Sequence, residues 1–535
     1  MRQTVPGAMV RSYKEESRRP AIIGVAQGRD RPQVRCPNRK IFAIPKLLTP
    51  TRFYPIGPHI KARQRDNTND AHARRALTSK AAVLVTLALL TARGAAQASA
   101  FATVYNFKGE GDGASPNGVT FGKNGALYGT TFAGGSNNTF GTVFELTPVK
   151  GGAWTKTVLF DFNGADGAWP SQSGIGSPGA SLVFGGNGAL YGTTSSGGSA
   201  PSPSLAGTVF ELAPPATAGG VWIETVLYDL GGSADAPNTP LGGLFVGPSG
   251  ALYGTTEKSF WFGGGDGGGS EVGGAVFALT PPAVPGGSWT ERTLIDFWRT
   301  TTSLGAFPRA AVLSLGGSLY GATYADSTYA GCGSVCELSP PATKGAAWNS
   351  TAIHNFSGND GCYSQAPLAA GPGGVLYGTT YGGGSGTRSV FAGCGTVFQL
   401  TPPATAGGAW TETVIYNFTA LNGDGAFPAA GVVLGKDGVL YGTTTNGGSA
   451  VSGSPCIGYG AGYGHGPIGC GTVFQLTPPS TSGGAWTETI LYSFTGENGE
   501  GSIPGPLTMN QDGVLFGPTW TGGTAGKGTI FALVP

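Results

Sequence analysis

Cysteines that can pair as disulfides are the clearest chemical feature of this 535-residue chain. Six of its seven cysteines follow residue 100. An even number of cysteines indicates disulfides formed in an oxidising compartment. Cys456 and Cys470 flank one insertion and are the first candidate pair. Cys362 and Cys394 are the second candidate pair, and the connectivity of the other cysteines stays open.

Cys332 and Cys336 are poor disulfide partners for each other. They lie four residues apart in a strand-like string, and four strand residues span about 13 Å, which is beyond the reach of a disulfide. Only two histidines, His354 and His465, accompany the cysteines after residue 100. We therefore expect no metal site and no cofactor.

Single carboxylates recur at similar spacing, mostly beside glycine. They are Asp112, Asp166, Asp235, Asp360, Asp424 and Glu500. Acidic residues next to glycine are typical turn formers. A weak Ca²⁺ site is an alternative use for them, but Ca²⁺ needs six or more oxygen ligands. The sequence contains no Gly-x-Ser-x-Gly, His-Glu-x-x-His or Walker motif, so we assign no catalytic residue.

Aromatic side chains among Gly, Ser and Asn are the candidate ligand-binding residues. Exposed rings can stack on the apolar faces of sugars or anchor a protein partner. The candidates are Phe132, Trp169, Trp261, Tyr324, Tyr381, Tyr459, Tyr463 and Trp520. In the alternative interpretation these rings fold inward as small loop cores.

Strings repeated along residues 101–535 predict the elements that position these side chains. An LYG string, with one LFG variant, begins at Leu127, Leu190, Leu252, Leu319, Leu376, Leu440 and Leu515. A GTVF-like string begins at Gly141, Gly207, Gly274, Gly333, Gly395, Gly471 and Gly528. A WTETVLYDF-like string begins at Trp154, Trp222, Trp289, Trp348, Trp410 and Trp486. Each string alternates β-branched or aromatic residues with small or polar ones, which predicts half-buried strands.

A fourth short strand is predicted between a proline and each LYG string, because turn pairs such as Asn124-Gly125 separate the two. The strands found at the two ends of the chain decide between a closed ring and an open stack of repeats. Residues 103–107, TVYNF, form an unpartnered fourth strand, and the chain finishes with only three strands. We therefore predict an all-β fold: a seven-bladed β-propeller of four-stranded antiparallel blades, closed by pairing the N-terminal strand with the C-terminal three strands. An open solenoid would need polar caps, which the sequence does not show.

The two rims of such a propeller differ in loop length. The strands of each blade are lettered A (after the proline), B (LYG), C (GTVF) and D (WTETVLYDF). From the aromatic residue of strand B to the glycine of strand C the distance runs from 12 residues (Phe516 to Gly528) to 30 (Tyr441 to Gly471). Binding sites are usually built where loops vary on a rigid scaffold. The candidate aromatic residues lie on this rim, which carries the B–C and D–A loops.

The repeated strings resemble those of the choice-of-anchor tandem repeat GloVer family. LYGTT is near-verbatim at Leu127, Leu190, Leu252, Leu376 and Leu440, and a GTVF-like string follows each time. The resemblance covers residues 101–535 and implies an exported bacterial repeat protein, often tethered by a C-terminal anchor, whose biochemical role is not established. This chain stops at Pro535 directly after a strand pattern, so we expect release as a soluble protein rather than surface retention.

Composition separates the first 100 residues from the rest. They hold 19 of the 31 Lys and Arg residues and 5 of the 29 Asp and Glu residues, which leaves a net charge of −12 on residues 101–535. A negative body argues against binding to nucleic acid or to an anionic membrane surface. The 97 glycines and 38 prolines largely mark the turns and strand starts of the repeats and do not indicate disorder.

The N-terminal region predicts export. A basic stretch at residues 74–80, an apolar run at 81–90 and Ala-Ser-Ala at 98–100 indicate a signal peptide over 74–100, with cleavage after Ala100. The apolar run is too short to span a bilayer. Residues 1–73 are an Arg-rich extension, which we predict to be disordered or to precede the true start.

These observations predict a secreted or extracellular monomer, with the periplasm as a further possible location. Its predicted role is that of a non-catalytic scaffold which binds an extracellular glycan or protein through the loop-rich rim. Two alternatives stay open. One is a polysaccharide-active hydrolase or lyase with carboxylates near the channel mouth, and the other is a structural protein of the cell envelope.

Overall fold

The computed structural model is all-β, and its main sheets are seven antiparallel blades arranged in a ring. The structure describes residues 99–136, 140–170, 181–199, 207–217, 219–231, 237–259, 273–297, 304–325, 331–343, 345–385, 393–405, 407–449, 456, 469–481, 483–497 and 499–535. The predicted Arg-rich extension and nearly all of the predicted signal peptide lie outside these residues.

The strands follow the chain blade by blade. The first strand is β1 (Ala100–Asn106), which belongs to blade 7. Blade 1 contains β2 (Ala114–Phe121), β3 (Leu127–Ala133), β4 (Thr142–Pro148) and β5 (Trp154–Asp161). Blade 2 contains β6 (Val183–Phe184), β7 (Leu190–Thr194), β8 (Thr208–Ala213) and β9 (Ile223–Asp229). Blade 3 contains β10 (Pro237–Asn238), β11 (Phe245–Val246), β12 (Leu252–Thr256), β13 (Lys258–Ser259), β14 (Ala275–Thr280) and β15 (Thr290–Asp296).

The second half of the ring repeats the same order. Blade 4 contains β16 (Ala306–Pro308), β17 (Leu313–Leu315), β18 (Ser318–Ala325), β19 (Ser334–Ser339) and β20 (Asn349–Asn355). Blade 5 contains β21 (Ala369–Ala370), β22 (Leu376–Thr380), β23 (Thr396–Thr401) and β24 (Thr411–Asn417). Blade 6 contains β25 (Gly425–Ala426), β26 (Val433–Leu434), β27 (Leu440–Thr444), β28 (Asn446–Gly447), β29 (Thr472–Thr477) and β30 (Thr487–Ser493). Blade 7 adds β31 (Ser502–Pro504), β32 (Thr508–Met509), β33 (Leu515–Thr521) and β34 (Thr529–Val534).

Helical structure in the described part is limited to short 3₁₀ segments. They are Glu110–Asp112, Pro372–Gly374 and Lys436–Gly438, with single 3₁₀ positions at Leu304 and Cys456. No helix among the described residues has the length and apolarity needed to cross a membrane.

Strand A is the element that differs most from the sequence prediction, because it has two halves. In blade 7 the first half, β31, pairs with the end of β33, and the second half, β32, pairs with its beginning. In blade 1 the two halves form one strand, whose register shifts between Pro116 and Val119. The proline is therefore the last paired residue of the first half, as Pro504 is opposite Thr519 and Pro116 is opposite Thr131, next to the irregular position where a missing N–H is tolerated.

The core of each blade is a phenylalanine of strand C packed over the glycine of strand B. Gly129 pairs with Phe144, and a Cβ atom added to this glycine would lie 2.8 Å from the ring. In blade 4 the phenylalanine is replaced by Cys336, and a Cβ atom added to the facing Gly321 would meet Val312 at 3.6 Å, an ordinary van der Waals contact. The glycine of LYG is thus needed because an aromatic ring occupies the position of its missing side chain.

Aromatic pairs also join neighbouring blades. The phenylalanine that follows strand D of one blade packs edge-on against the strand C phenylalanine of the next, as Phe162 does against Phe210 at 5.3 Å between ring centroids. The tryptophan that precedes strand D packs against the LYG tyrosine of the preceding blade, as Trp222 does against Tyr128. The repeated tryptophans are partly buried and pack against the core clusters.

Pairing of the chain ends closes the ring, as the sequence predicts. Strand β1 pairs with β34 in antiparallel fashion, from Ala100 opposite Val534 to Asn106 opposite Thr529. Blade 7 therefore takes its strand D from the N-terminal end and its other strands from the C-terminal end. The predicted cleavage after Ala100 would remove one residue of β1 and leave the rest of the pairing in place.

The inner segments of neighbouring blades touch one another. Gly243 of blade 3 lies against Ser181 of blade 2 and Ala311 of blade 4. Threonines of LYGTT donate hydrogen bonds to inner carbonyl groups of the next blade: Thr193 to Gly242, Thr255 to Ala310, Thr379 to Ala430 and Thr443 to Gly505. Strand A therefore lines the axis and strand D lies outermost.

Candidate functional site

Seven equivalent residues on the rim of B–C and D–A loops have a left-handed backbone without being glycine. They are Ser115, Trp169, Thr239, Phe307, Tyr363, Phe427 and Ile503, with φ between 53° and 64°. This conformation is uncommon for such residues and signals a structural constraint. Because it recurs in every blade, its cause lies in the fold rather than in a single site.

Hydrogen bonds to both neighbouring elements impose this conformation. The N–H of Trp169 donates to the carbonyl oxygen of Phe140 in the B–C loop of blade 1, at 2.9 Å. The carbonyl oxygen of Trp169 accepts from the N–H of Ser195 in blade 2, at 3.1 Å. The left-handed residue is therefore held between two blades, and its side chain projects at their junction on the rim.

A continuous group of rings results at the junction of blades 7, 1 and 2. The rings of Phe132 and Trp520 have centroids 6.1 Å apart, and those of Phe132 and Trp169 have centroids 6.5 Å apart. The ring of Phe140, in the B–C loop of blade 1, also packs against Trp169, with 6.3 Å between the ring centroids. Trp520, Phe132 and Trp169 are partly exposed. We name these three residues the aromatic arc.

The candidates of blades 4 and 5 are engaged with other side chains. Tyr324 stacks on Tyr363 at 4.8 Å, and the guanidinium carbon of Arg309 lies 3.7 Å from the Tyr324 ring centroid. Arg309 also forms an ion pair with Glu257. Tyr324 is thus covered by a cation and a ring.

Tyr381 of blade 5 stacks on Phe427 of blade 6 at 5.2 Å between ring centroids. Trp261, Tyr459 and Tyr463 lie outside the described residues. The structure thus groups three of the eight candidates in the aromatic arc and places two others in separate ring pairs.

Disulfides fasten the same rim. Cys456 is bonded to Cys470, which is the first pair that the spacing predicts. The second predicted pair, Cys362 with Cys394, is wrong, because Cys362 is bonded to Cys332. Cys332 directly precedes strand C of blade 4, and the N–H of Tyr363 donates to its carbonyl oxygen, which brings Cys362 alongside.

Cys394 takes the same place in blade 5 that Cys332 takes in blade 4. There the N–H of Phe427 donates to the Cys394 carbonyl oxygen at 2.8 Å, and the residue equivalent to Cys362 is Ala426. Both Cys394 and Cys336 are buried. The Cys336 thiol donates to the carbonyl oxygen of Leu304, and burial raises its pKa to about 11.

The repeated carboxylates are turn formers, as their position beside glycine predicts. In the D–A turns, side-chain oxygens accept backbone N–H groups: Asp112 from Lys108, Asp166 from Asn163, Asp360 from Ser357, Asp424 from Thr419 and Glu500 from Thr495. Asp235 lies outside the described residues. The turn role leaves other carboxylate oxygens facing the neighbouring blade.

Three of these carboxylates, Asp112, Asp360 and Asp424, each meet two side chains of outer strands at a blade interface, a group that we name the interface trio. One member belongs to strand D of the same blade, and the other belongs to strand D of the next blade. Between blades 5 and 6 the trio is Tyr416, Asp424 and Glu488. Between blades 7 and 1 it is Tyr105, Asp112 and Lys156. Sequence reasoning missed these trios, because the third member of each comes from the next blade and joins the other two only across the interface.

Burial and like charge perturb the interfaces at which two carboxylates meet. Burial raises the pKa of Glu224 to about 7, with a further contribution from Asp166. Burial likewise raises the pKa of Glu488 to about 7, with a further contribution from Asp424. Oxygen atoms of Glu224, Glu488 and Asp424 are buried without a hydrogen-bond partner among the described residues.

The trio between blades 4 and 5 has a different composition: His354, Asp360 and Glu412. His354 Nε2 lies 3.1 Å from Asp360 Oδ2. Burial favours a higher pKa for Asp360, but hydrogen bonds from His354 and Ser357 outweigh it and hold the pKa below its ordinary value. Burial raises the pKa of Glu412 to about 7. The three ligand-type atoms lie within 4.8 Å of one another, which makes this trio the group in the described part of the chain that could hold a metal ion.

Comparison with known proteins places the repeats in a family. The sequence pattern described as "Gloeobacter/Verrucomicrobia repeat" matches three overlapping segments, residues 92–266, 171–381 and 258–455. No curated protein sequence matches the chain.

Solved structures with a similar fold are distant. The calcium structure of the Trichoderma reesei carbohydrate-active enzyme family AA12 has 13% identity and a TM-score of 0.36, covering 68% of this chain and 94% of that chain. PorZ, a bacterial surface component of the type-IX secretion system of Porphyromonas gingivalis, has 13% identity and a TM-score of 0.36, covering 76% of this chain and 45% of that chain. A point mutant of NanB sialidase from Streptococcus pneumoniae has 12% identity and a TM-score of 0.34, covering 81% of this chain and 70% of that chain. At these TM-scores the likenesses carry no argument about function.

Proposed function

The chain belongs to the Gloeobacter/Verrucomicrobia repeat family, and from that premise we propose that it is a secreted scaffold that binds an extracellular glycan through the aromatic arc. The observation that carries the proposal is the grouping of Trp520, Phe132 and Trp169 as partly exposed rings of three consecutive blades. Tryptophan and phenylalanine rings supply large apolar faces at a small entropic cost.

The position of the aromatic arc supports a binding role. It lies on the rim whose B–C loops vary in length, while the interfaces below it repeat from blade to blade. Trp169 is held from both sides by backbone hydrogen bonds to Phe140 and Ser195. A ring on a fixed backbone loses little freedom when a ligand stacks on it, which favours affinity.

Charge narrows the class of glycan. Residues 101–535 carry 12 Lys and Arg residues against 24 Asp and Glu residues. A negative field of this sign repels anionic polymers. The proposed ligand is therefore a neutral glycan.

Location outside the cytoplasm is part of the same proposal. The bonds Cys332–Cys362 and Cys456–Cys470 are of the kind that forms and persists in oxidising compartments. The predicted signal peptide over residues 74–100 would deliver the chain there. Determination of the N-terminal residue of the exported protein by mass spectrometry tests the proposed cleavage.

The binding experiment uses an array of neutral and acidic glycans, followed by calorimetry with the best neutral ligand. We expect Trp520→Ala and Trp169→Ala each to weaken binding by about 10-fold, because each removes one stacking ring. Tyr381→Ala is the matched control, since Tyr381 occupies in blade 5 the position of Phe132 in blade 1 and stacks on Phe427. Its affinity should equal that of the wild type.

Two results would contradict the proposal. One is a folded protein that binds no neutral glycan on the array. The other is an equal loss of affinity in Tyr381→Ala and in the variants of the aromatic arc, which would place binding elsewhere or indicate a general loss of structure. Circular dichroism spectra of all variants separate these causes.

A second candidate function is cleavage of a polysaccharide, and one observation favours it. Asp166 and Glu224 form a carboxylate pair in which burial raises the pKa of Glu224 to about 7, and a raised pKa suits a general acid. Equivalent pairs at other interfaces favour a structural origin instead. Release of reducing ends by the wild type and its loss in Glu224→Gln would establish the enzyme. If the protein neither binds nor cleaves glycans, a structural role in the cell envelope is the remaining candidate.

A further inference from the structure

We propose that His354, Asp360 and Glu412 bind one divalent transition-metal ion of the Zn²⁺ class at the interface of blades 4 and 5. The three side chains come from three different elements: β20, the D–A turn after it, and β24 of the next blade. The metal would therefore join two blades at their outer strands. This site is separate from the aromatic arc and does not depend on glycan binding.

The geometry suits a small ion. All three ligand-type atoms lie within 4.8 Å of one another, and His354 Nε2 lies 3.1 Å from Asp360 Oδ2. Ligand atoms around tetrahedral Zn²⁺ at about 2.0–2.2 Å are about 3.4 Å apart. Binding of the ion would therefore require the Glu412 side chain to rotate toward His354 and Asp360. A water molecule would complete the coordination.

A buried oxygen without a partner is available to a metal ion at this site; the equivalent Glu224 and Glu488 also have one, so the histidine is what distinguishes the site. Glu412 Oε1 is buried and accepts no hydrogen bond from the described part of the chain. A buried acceptor in this state costs free energy, and bound cations commonly remove that cost. A metal ion at this position would also stabilise the ionised form of Glu412.

The turn around Asp360 orients its carboxylate. Asp360 Oδ1 accepts hydrogen bonds from the N–H and the hydroxyl of Ser357, at 2.7 Å and 3.0 Å. Asp360 Oδ2 is left facing His354. Such outer hydrogen bonds are typical of carboxylates that ligate metals, because they fix the direction of the donor oxygen.

Histidine distinguishes this interface from all others in the sequence. The equivalent strand D position is occupied by Tyr105, Phe160, Tyr228, Ile295, Tyr416 and Tyr492 in the other repeats. Tyrosine, phenylalanine and isoleucine do not supply the neutral nitrogen that Zn²⁺ prefers. The trio of Tyr416, Asp424 and Glu488 is therefore a natural control within the same molecule.

Two histidines among cysteines predict no metal site from the sequence, but that prediction did not consider Glu412, and it weighed the turn carboxylates only as ligands of Ca²⁺. Imidazole with two carboxylates favours Zn²⁺, Ni²⁺ or Co²⁺ over Ca²⁺ and Mg²⁺, which take oxygen ligands in larger number. The two strand D positions and the turn meet only when blades 4 and 5 pack together.

Calorimetry with Zn²⁺ tests the proposal on the full protein after removal of metal by a chelator. We expect one equivalent of Zn²⁺ to bind the wild type and a rise in its melting temperature. We expect His354→Tyr to weaken binding by about 100-fold and Glu412→Gln by about 10-fold. Because His354→Tyr restores the residue of other repeats, we expect it to fold.

A variant that is designed to gain a metal site provides the second part of the experiment. We expect Tyr416→His to bind a second equivalent of Zn²⁺, since it recreates the same trio between blades 5 and 6. Ca²⁺ in place of Zn²⁺ should give no heat at either site. Absence of binding to the wild type, or binding that persists unchanged in a folded His354→Tyr variant, would overturn the proposal. Absence of a second equivalent in Tyr416→His would contradict the role assigned to the histidine.

Discussion

The interface that closes the ring, between blades 7 and 1, and the internal interface between blades 5 and 6 share one apolar construction. At closure Phe107 packs edge-on against Phe144 at 5.2 Å, and internally Phe418 packs against Phe474 at 5.1 Å. All four rings are buried. The chain ends thus meet through the same contact that joins consecutive repeats.

The second aromatic contact is also conserved between these two interfaces. Trp154 of blade 1 packs against Phe516 of blade 7 at 5.9 Å, and Trp486 of blade 6 packs against Tyr377 of blade 5 at 6.1 Å. Their outer trios differ in charge. Lys156 forms an ion pair with Asp112 at closure, whereas Glu488 faces Asp424 and Tyr416 internally.

The difference shows that apolar packing, and not the charged trio, defines a blade interface. A trio can therefore change its members while the ring stays closed. Burial lowers the pKa of Lys156 and Asp112 counteracts this effect, whereas burial and two negative charges raise the pKa of Tyr416 well above its ordinary value. The interface of blades 4 and 5 has a third kind of outer trio, which contains a histidine.

Truncation of the shared phenylalanine should have the largest effect. We expect Phe107→Ala and Phe418→Ala to lower the free energy of unfolding by similar amounts, about 4 kcal/mol, because each leaves a cavity beside a buried ring. Urea unfolding followed by tryptophan fluorescence measures both. Val221→Ala is the control, since Val221 is 81% exposed. A much smaller loss for Phe107→Ala would mean that the closing interface contributes less than an internal one.

Loss of the closing ion pair should have an intermediate effect. The Lys156 side chain is 2% exposed and also donates to the carbonyl oxygen of Asp112. We expect Lys156→Ala to lower the free energy of unfolding by about 3 kcal/mol, because Asp112 loses its buried partner. The exposed Lys108 provides the control variant, Lys108→Ala. Equal stability of the two variants in urea would contradict a role for the ion pair.

Neutralisation of the internal carboxylate pair should have the smallest effect, with the opposite sign. The pKa of Glu488 rises from 4.5 to about 7 in the folded protein, so its proton stabilises the fold fully below pH 4.5 and this contribution is lost as the pH rises through 7. We expect Glu488→Gln to stabilise the protein by about 1 kcal/mol at pH 8, after allowance for solvent screening, and by much less at pH 5.

Urea unfolding at both pH values measures this difference. The exposed Glu497 provides the control variant, Glu497→Gln, whose stability relative to the wild type should not change between pH 5 and pH 8. A stabilisation by Glu488→Gln that is equal at the two pH values would show that Glu488 is ionised throughout, contrary to the direction expected from its burial.

Much of the fold follows from local sequence. Alternation in LYGTT and GTVF predicts the strands, and the unpartnered TVYNF at residues 103–107 predicts ring closure, which the pairing of β1 with β34 confirms. The bounds of strand A are predicted less well, because its first half contains the left-handed residue, whose position is defined by hydrogen bonds to two blades. The bond between Cys332 and Cys362 escaped prediction for the same reason, since Tyr363 and Cys332 meet across a loop and a strand end.

The sequence by itself determined the repeat, the strand order and the closed ring, because strand periodicity and turn residues act over short distances. The tertiary structure alone decided which side chains meet between blades. Phe132 is separated from Trp169 by two strands and from Trp520 by most of the ring, yet the three rings are neighbours on the rim. His354 and Glu412 likewise converge because interface packing, rather than chain proximity, sets the distance between them.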